Sequence, residues 1–76
     1  MKSAVIDLKM VENVKKFVSI AHKYNFNIDL RSGRHVVDGK SILGIFSLDL
    51  SKPIILEVYS DDCEELLEEL SPMLLN

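Results

Sequence analysis

The hydrophobic period of this sequence changes several times between two residues and about 3.6 residues within a chain of 76 residues. Residues 4–8 alternate between apolar and polar and predict a half-buried strand. Residues 11–24 place apolar side chains at helical spacing and predict an amphipathic helix, which Asn25 would end. Because so short a chain has room for one thin core, both kinds of element must cover the same apolar layer. The apolar stripe of the predicted helix consists of Val11, Val14, Phe17, Val18 and Ala21.

Two short runs that carry apolar residues follow, residues 27–31 and 34–37. They meet around Ser32 and Gly33, which are common turn residues, and they therefore predict a hairpin. The side chains of the first run that are expected to face the core are Ile28 and Leu30.

The second half of the chain predicts a short helix, a strand and a last helix. Ser41 precedes apolar residues at positions i, i+3 and i+4, which indicates a helix with a serine N-cap. Residues 54–59 alternate again and predict a strand. The C-terminal segment predicts a helix with caps among residues 60–62 and an end before Pro72. The apolar positions of the short helix are Ile42, Ile45 and Phe46, and those of the last helix are Cys63, Leu66, Leu67 and Leu70.

The resulting order is β-α-β-β-α-β-α, and residues 1–76 are expected to form a single domain. Strands and helices that share one apolar layer favour an α+β fold. We expect a four-stranded antiparallel sheet that three helices cover on one face, with water on the other. Residues 73–75 pack either against their own chain or against a second copy, and the sequence leaves both arrangements open.

Composition argues against several classes of function. The net charge is -3, and the lysines and arginines are interleaved with apolar and acidic residues, so no nucleic-acid-binding stripe is predicted. Cys63 is the single cysteine and cannot form an intramolecular disulfide, which indicates a reducing compartment. The sequence shows neither the apolar core of a signal peptide nor a stretch long enough to span a membrane. The expected location is therefore the cytoplasm.

The sequence predicts no metal, cofactor or catalytic site, and we expect a protein that is not an enzyme. The acidic residues between positions 61 and 69 lack the spacing of a calcium-binding loop and are expected to form a solvated helix face. Cys63 lies on an apolar stripe, which indicates an inert core thiol. His22 and His35 are expected to be structural residues.

Two stretches of the sequence resemble one known family. DGKSILGIFSL, residues 38–48, is close to the KSI-apolar-G-apolar-apolar-SL signature of the HPr family, and FVSIAHKYNFNIDL, residues 17–30, resembles its first helix and second strand. HPr proteins are the phosphocarriers of the bacterial sugar phosphotransferase system. The resemblance implies an HPr-like open-faced β-sandwich in a bacterial protein related to sugar transport driven by phosphoenolpyruvate.

In this family the phosphoryl group is carried by a histidine in a G-apolar-H-A-R-P-A motif that opens the first helix. An ungapped alignment counted back from His22 places Met10 at the histidine, Glu12 at the arginine and Asn13 at the proline. A thioether cannot accept a phosphoryl group, and an acidic side chain repels one. The resemblance therefore implies a divergent member, similar to the Crh protein, that is not a phosphohistidine carrier. Carrier activity would require another alignment and transfer to His22 or His35.

The family's second phosphorylation site is retained at Ser41. In HPr and Crh of many Gram-positive bacteria, HPr serine kinase/phosphorylase modifies the matching serine, and the product acts together with a catabolite-control transcription factor. The resemblance thus implies a regulatory phosphoprotein in which Ser41 is the switch. The alternative is a structural or protein-interaction domain in which Ser41 only caps a helix. The candidate partner-binding residues beside Ser41 are Lys40, Ile42, Leu43 and Phe46.

Overall fold

The structure, a computed structural model, describes residues 1–75, and its order of elements confirms the predicted one. The strands are β1 (Lys2–Ile6), β2 (Ile28–Ser32), β3 (His35–Asp38) and β4 (Ile54–Val58). The helices are α1 (Val11–Ala21), α2 (Ile42–Phe46) and α3 (Glu64–Leu70), and a 3₁₀-helix, Ser71–Met73, follows α3. No helix in residues 1–75 is long and apolar enough to cross a membrane.

The four strands form one antiparallel sheet in the order β1-β4-β2-β3. The register pairs Val5 with Ile55, Ile55 with Arg31, and Arg31 with Val36. These four residues therefore lie in one row across the sheet, on the face opposite to the helices. β1 and β3 are the two edge strands.

The hydrophobic core lies between the sheet and the helices, as the α+β prediction requires. α1 contacts both α2 and α3, and α2 contacts β3. Alternate residues of the strands point into this layer, and each helix adds one stripe. The buried side chains are Ile6, Leu8, Val14, Phe17, Ala21, Ile28, Leu30, Ile45, Leu48, Ile54, Leu56, Val58, Cys63, Leu66, Leu70 and Met73.

The predicted hairpin is present, with β2 and β3 joined by a two-residue turn. Ser32 pairs with His35 across the turn, and Gly33 between them has a φ of 60°. A positive φ at the first central residue fits the mirror-image turns that match the twist of a hairpin, and glycine adopts it without steric strain.

The first strand was predicted at residues 4–8, but β1 runs from Lys2 to Ile6. The pairing of β1 with β4 ends at Ile6, and the N–H of Asp7 donates instead to the carbonyl oxygen of Met73 at 2.9 Å. Leu8 is still buried, because the chain turns inward after the strand. The alternation of apolar residues therefore indicated burial correctly and the strand boundary wrongly.

The first helix was predicted at residues 11–24, but α1 ends at Ala21. Beyond it, the N–H groups of Lys23 and Tyr24 donate to carbonyl oxygens three residues back, which closes the helix with tighter turns. Val11 was wrongly assigned to the buried stripe, since its side chain is 54% exposed. A helical side chain covers the turn that precedes it, and at the first position of α1 no such turn exists.

The last helix was predicted to be capped within residues 60–62, but its N-cap is Cys63. Ser60 Oγ accepts a hydrogen bond from the N–H of Asp62 at 3.1 Å, so these residues form a separate turn before the helix. Pro72 ends α3 as predicted, and the chain continues as the 3₁₀-helix.

Residues 73–75 pack against their own chain, which decides between the two arrangements that the sequence left open. Met73 is buried, Leu74 forms an isolated antiparallel bridge with Ile6, and the N–H of Leu75 donates to the carbonyl oxygen of Val5 at 2.8 Å. This segment therefore lies along the outer edge of β1.

Candidate functional site

Ser41 is the N-cap of α2, as predicted from the sequence. Its backbone is extended, with φ -107° and ψ 109°, and its Oγ accepts a hydrogen bond from the N–H of Gly44 at 3.2 Å. The side chain is only partly buried. The hydroxyl oxygen thus satisfies one of the unpaired N–H groups of the first helical turn and stays near the surface.

The loop before Ser41 is fixed to the β2–β3 hairpin. The N–H of Gly39 donates to the carbonyl oxygen of Ile28 at 2.7 Å. The N–H of Lys40 donates to Asp38 Oδ1 at 2.9 Å, and the N–H of Ser41 donates to the carbonyl oxygen of Asp38 at 3.0 Å. Consecutive N–H groups are therefore all paired, and Ser41 sits on a defined backbone.

A second set of contacts fixes the same loop to the end of α1. His22 Nε2 lies 2.9 Å from the carbonyl oxygen of Lys40, and Lys40 Nζ donates to the carbonyl oxygen of Tyr24 at 2.6 Å. No sequence pattern indicated this connection, because 18 residues separate His22 from Lys40. Lys40, a candidate partner-binding residue, thus also holds the loop in place.

α2 exposes most of its apolar residues. Leu43 is 82% exposed, Phe46 44% and Ile42 37%, whereas Ile45 is fully buried. α2 lies close over β3, where a Cβ added at Gly44 would make an ordinary contact at 3.4 Å with Val37 Cβ. Three exposed apolar residues on five residues of helix form a surface that a partner protein can bind. We call Ile42, Leu43 and Phe46 the α2 apolar surface.

The start of α1 carries the other candidate residues. Met10 is the N-cap of α1 and is 60% exposed, and its side chain makes no capping hydrogen bond. Glu12 lies exposed in the first turn. Asn13 Nδ2 donates to the carbonyl oxygen of Asp7 at 3.3 Å. This corner thus presents a thioether, a carboxylate and an occupied amide, and it contains no imidazole that could carry a phosphoryl group.

Neither histidine lies at this end of α1. His22 is the C-cap of α1, and His35 is the first residue of β3. In addition, residues 1–75 contain no group of three or more His, Cys, Asp and Glu side chains placed to hold a metal ion.

The clearest perturbation of pKa values lies between the turn after α1 and helix α3. Tyr24 donates a hydrogen bond to Glu69 Oε2, and this bond raises the pKa of Tyr24 to about 12. Lys23 Nζ lies 2.7 Å from Glu69 Oε1, and the pKa of Glu69 is lowered first by this bond and then by the bond from Tyr24. The three side chains form a network near the surface that ties the turn after α1 to α3.

A family model described as the PTS HPr component phosphorylation site matches residues 12–75. The chain belongs to the HPr family. The match includes Ser41 and the whole of α2, and it begins just after Met10.

Two solved structures agree with this assignment. HPr-C-His from Thermoanaerobacter tengcongensis is 30% identical, with a TM-score of 0.78 over 95% of this chain and 89% of that chain. The phosphocarrier protein HPr from Bacillus anthracis strain Ames is 27% identical, with a TM-score of 0.73 over 95% of this chain and 93% of that chain. No curated protein sequence matches the chain significantly. Fold and family are thus HPr, a family of phosphotransferase-system components whose members carry phosphate rather than catalyse reactions as enzymes.

Proposed function

We propose that this HPr family member is a cytoplasmic regulatory protein that a serine kinase phosphorylates on Ser41. One observation carries the proposal. Ser41 is partly exposed on a firmly held loop, directly before the α2 apolar surface, while the start of α1 presents Met10 in place of a phosphorylatable side chain.

Phosphohistidine transfer has little support at either histidine. His22 already contacts the carbonyl oxygen of Lys40 through Nε2, and His35 lies on an edge strand away from the start of α1. At Met10 the thioether sulfur cannot form a stable phosphoryl bond, and the carboxylate of Glu12 would repel an incoming phosphate. The carrier role of other HPr proteins is therefore not part of our proposal.

Phosphorylation of Ser41 would change a surface rather than the fold. A phosphoserine carries about -1.5 to -2 charges and three acceptor oxygens at pH 7. It would stand next to Ile42, at the edge of the α2 apolar surface. A partner with a basic pocket beside an apolar groove would then distinguish the modified from the unmodified protein. The partners that family membership suggests are HPr serine kinase/phosphorylase and a catabolite-control transcription factor.

The test is the intact mass of the protein after incubation with ATP and HPr serine kinase. We expect one added phosphate on the native chain and on Ser47→Ala, whose hydroxyl is exposed at the other end of α2. We expect none on Ser41→Ala. The kinase must modify an ordinary HPr in parallel. Unmodified native protein under these conditions would contradict the proposal, as would persistent modification of Ser41→Ala.

A parallel incubation with phosphoenolpyruvate and the first enzyme of the phosphotransferase system tests the carrier alternative. We expect no mass increase. Phosphate on His22 or His35, located by fragmentation of the protein under neutral conditions, would show that the chain is a carrier after all.

A second candidate function is a plain interaction domain, and the hydrogen bond from the Gly44 N–H to Ser41 Oγ favours it, because helix capping by itself accounts for a serine at this position. Under this alternative Ser41→Ala lowers stability slightly, and a kinase leaves every form of the protein unmodified. The mass measurement therefore separates the two functions.

A further inference from the structure

A groove lies between α1 and the 3₁₀-helix that follows α3, with a volume of about 290 Å³. Part of its lining is apolar and comes from both sides. Ile20 belongs to α1 and packs against the core, while Pro72 and Met73 belong to the 3₁₀-helix. The volume is at the lower end of the range for small-molecule pockets, so the groove fits a small ligand.

The rest of the lining is polar, and most of it follows one face of α1. Asn13, Lys16 and Ser19 are spaced three residues apart, which places them on the same side of the helix. Lys23 follows the end of the helix, about two turns or roughly 10 Å beyond Lys16. This side of the groove thus offers an amide, a hydroxyl group and two ammonium groups.

The two ammonium groups differ in how their charge is neutralised. Lys23 Nζ lies 2.7 Å from Oε1 of Glu69, whose carboxylate lines the groove from α3. Oε2 of Glu69 accepts the hydrogen bond from Tyr24, so both oxygens of this carboxylate have a partner. In the described part of the chain, by contrast, Lys16 has no ion-pair partner and Ser19 Oγ has no hydrogen-bond partner. The groove therefore has an unpaired positive charge at one end and a neutralised ion pair at the other.

We propose that this groove binds a small monocarboxylate with an apolar body. The ammonium group of Lys16 and the hydroxyl group of Ser19 would donate to the carboxylate, and hydrogen bonds between ionised partners are the strong ones. The apolar body would cover Ile20 and Pro72 and remove them from water. One carboxylate also balances the one net positive charge of the groove. The site contains neither Ser41 nor any residue of α2, so it is independent of the proposed phosphorylation.

The charges of the groove select against other classes of small ligand. A cation would be repelled by Lys16. A dianion, such as a phosphate monoester, would add a second negative charge to a groove whose other end holds the Glu69 carboxylate. An uncharged polar molecule, such as a sugar, would lose hydrogen bonds to water against the apolar lining. A carboxylate at the Lys16 end with an apolar body directed towards Lys23 meets none of these penalties.

Hexanoate is a suitable probe, because it combines one carboxylate with a short apolar chain. In a titration of the native chain followed by backbone amide chemical shifts, we expect saturation with a dissociation constant of about 10 mM or lower. The shifts should be concentrated in residues 13–23 and 69–73. Acetate lacks the apolar chain and hexanol lacks the charge, so each should bind at least about fivefold more weakly. Hexylammonium should not bind in the groove.

Two lysine variants test the role of the unpaired charge. Lys16→Gln should weaken hexanoate binding by about fivefold or more, because the carboxylate loses its ammonium partner. The matched control is Lys15→Gln, which removes the same charge from a neighbouring exposed residue of α1 that does not line the groove. This control should bind hexanoate like the native chain. Amide spectra that are unchanged outside the groove establish that both variants are folded.

The inference makes no allowance for general attraction of hexanoate to the protein surface. An absence of saturable shifts up to about 50 mM hexanoate would exclude the site. Hexanol that binds as tightly as hexanoate, or equal losses in the two lysine variants, would show that Lys16 does not recognise a carboxylate. Shifts confined to the α2 apolar surface would show that hexanoate only covers exposed apolar side chains, and would equally overturn the inference.

Discussion

At Ser41, the oxygen atom that caps α2 is also the atom that a kinase would modify. Its acceptor bond from the Gly44 N–H fixes the first turn of the helix, and the loop bonds of Gly39 and Lys40 hold the residue in place. The residue therefore has a structural role in the unmodified protein. Met10 shows the converse, because it occupies the N-cap of α1 without a side-chain acceptor. The N-cap side chain of α2 thus accepts a hydrogen bond from the first turn of its helix, whereas the N-cap side chain of α1 accepts none.

Ser41→Ala should lower the free energy of unfolding by about 1 kcal/mol, because the N–H of Gly44 loses its side-chain acceptor. Urea unfolding followed by circular dichroism measures this change. The matched control is Ser19→Ala, an exposed serine within α1, which should be neutral or slightly stabilising because alanine is the better helix former. Equal effects of the two substitutions would contradict a capping role for Ser41.

At the scale of elements, α2 depends on two close approaches to the hairpin. Gly39 packs against β2, where an added Cβ would lie 2.9 Å from Ile28 Cγ2 and 3.0 Å from the carbonyl oxygen of Ile28. Gly44 lies over β3, where an added Cβ would make an ordinary contact at 3.4 Å with Val37 Cβ. The loop before α2 is therefore more constrained than the helix itself, which explains how so short a helix keeps a fixed position.

Gly39→Ala should destabilise the protein by about 1–3 kcal/mol, because the new methyl group overlaps the backbone of β2. Gly44→Ala should change stability by less than about 1 kcal/mol, since the gain in helix propensity offsets the tighter contact. Chemical denaturation of both variants under the same conditions measures the difference. If the Gly44 variant proved the less stable of the two, our account of how α2 is held would be wrong.

At the scale of the whole molecule, the turn that follows α1 is joined to α3 across 45 residues of sequence by the bond between Tyr24 and Glu69. The bond favours a protonated Tyr24 and an ionised Glu69, so the pKa of Tyr24 rises to about 12 and that of Glu69 falls. Because the pKa of Tyr24 in the folded state lies above its ordinary value of 10.0, the bond stabilises the fold fully below pH 10 as long as Glu69 is ionised, and protonation of Glu69 in acid removes this stabilisation. This stabilisation is lost as the pH rises through about 12.

An ultraviolet titration of tyrosine ionisation should therefore show one group with a pKa near 12 in the native chain. In Glu69→Gln this group should titrate closer to 10, because the carboxylate that holds the proton is gone. Tyr24→Phe identifies the signal, which should disappear while Tyr59 still titrates. An unchanged titration in Glu69→Gln would refute the link between the helices.

The sequence alone determined the kinds of elements, their order and the α+β class, because hydrophobic period is a local property that burial on one side imposes on each segment. It also identified Ser41 as a cap, since capping depends on residues only three positions apart. Only the tertiary structure decided that β1 ends at Ile6 and that His22 reaches the loop before Ser41. These outcomes depend on contacts between residues distant in sequence. Such contacts do not produce a hydrophobic period in either of the segments that make them, so the sequence pattern does not reveal them. For the same reason, the sequence could suggest strands but not which of them would be left at the edge of the sheet.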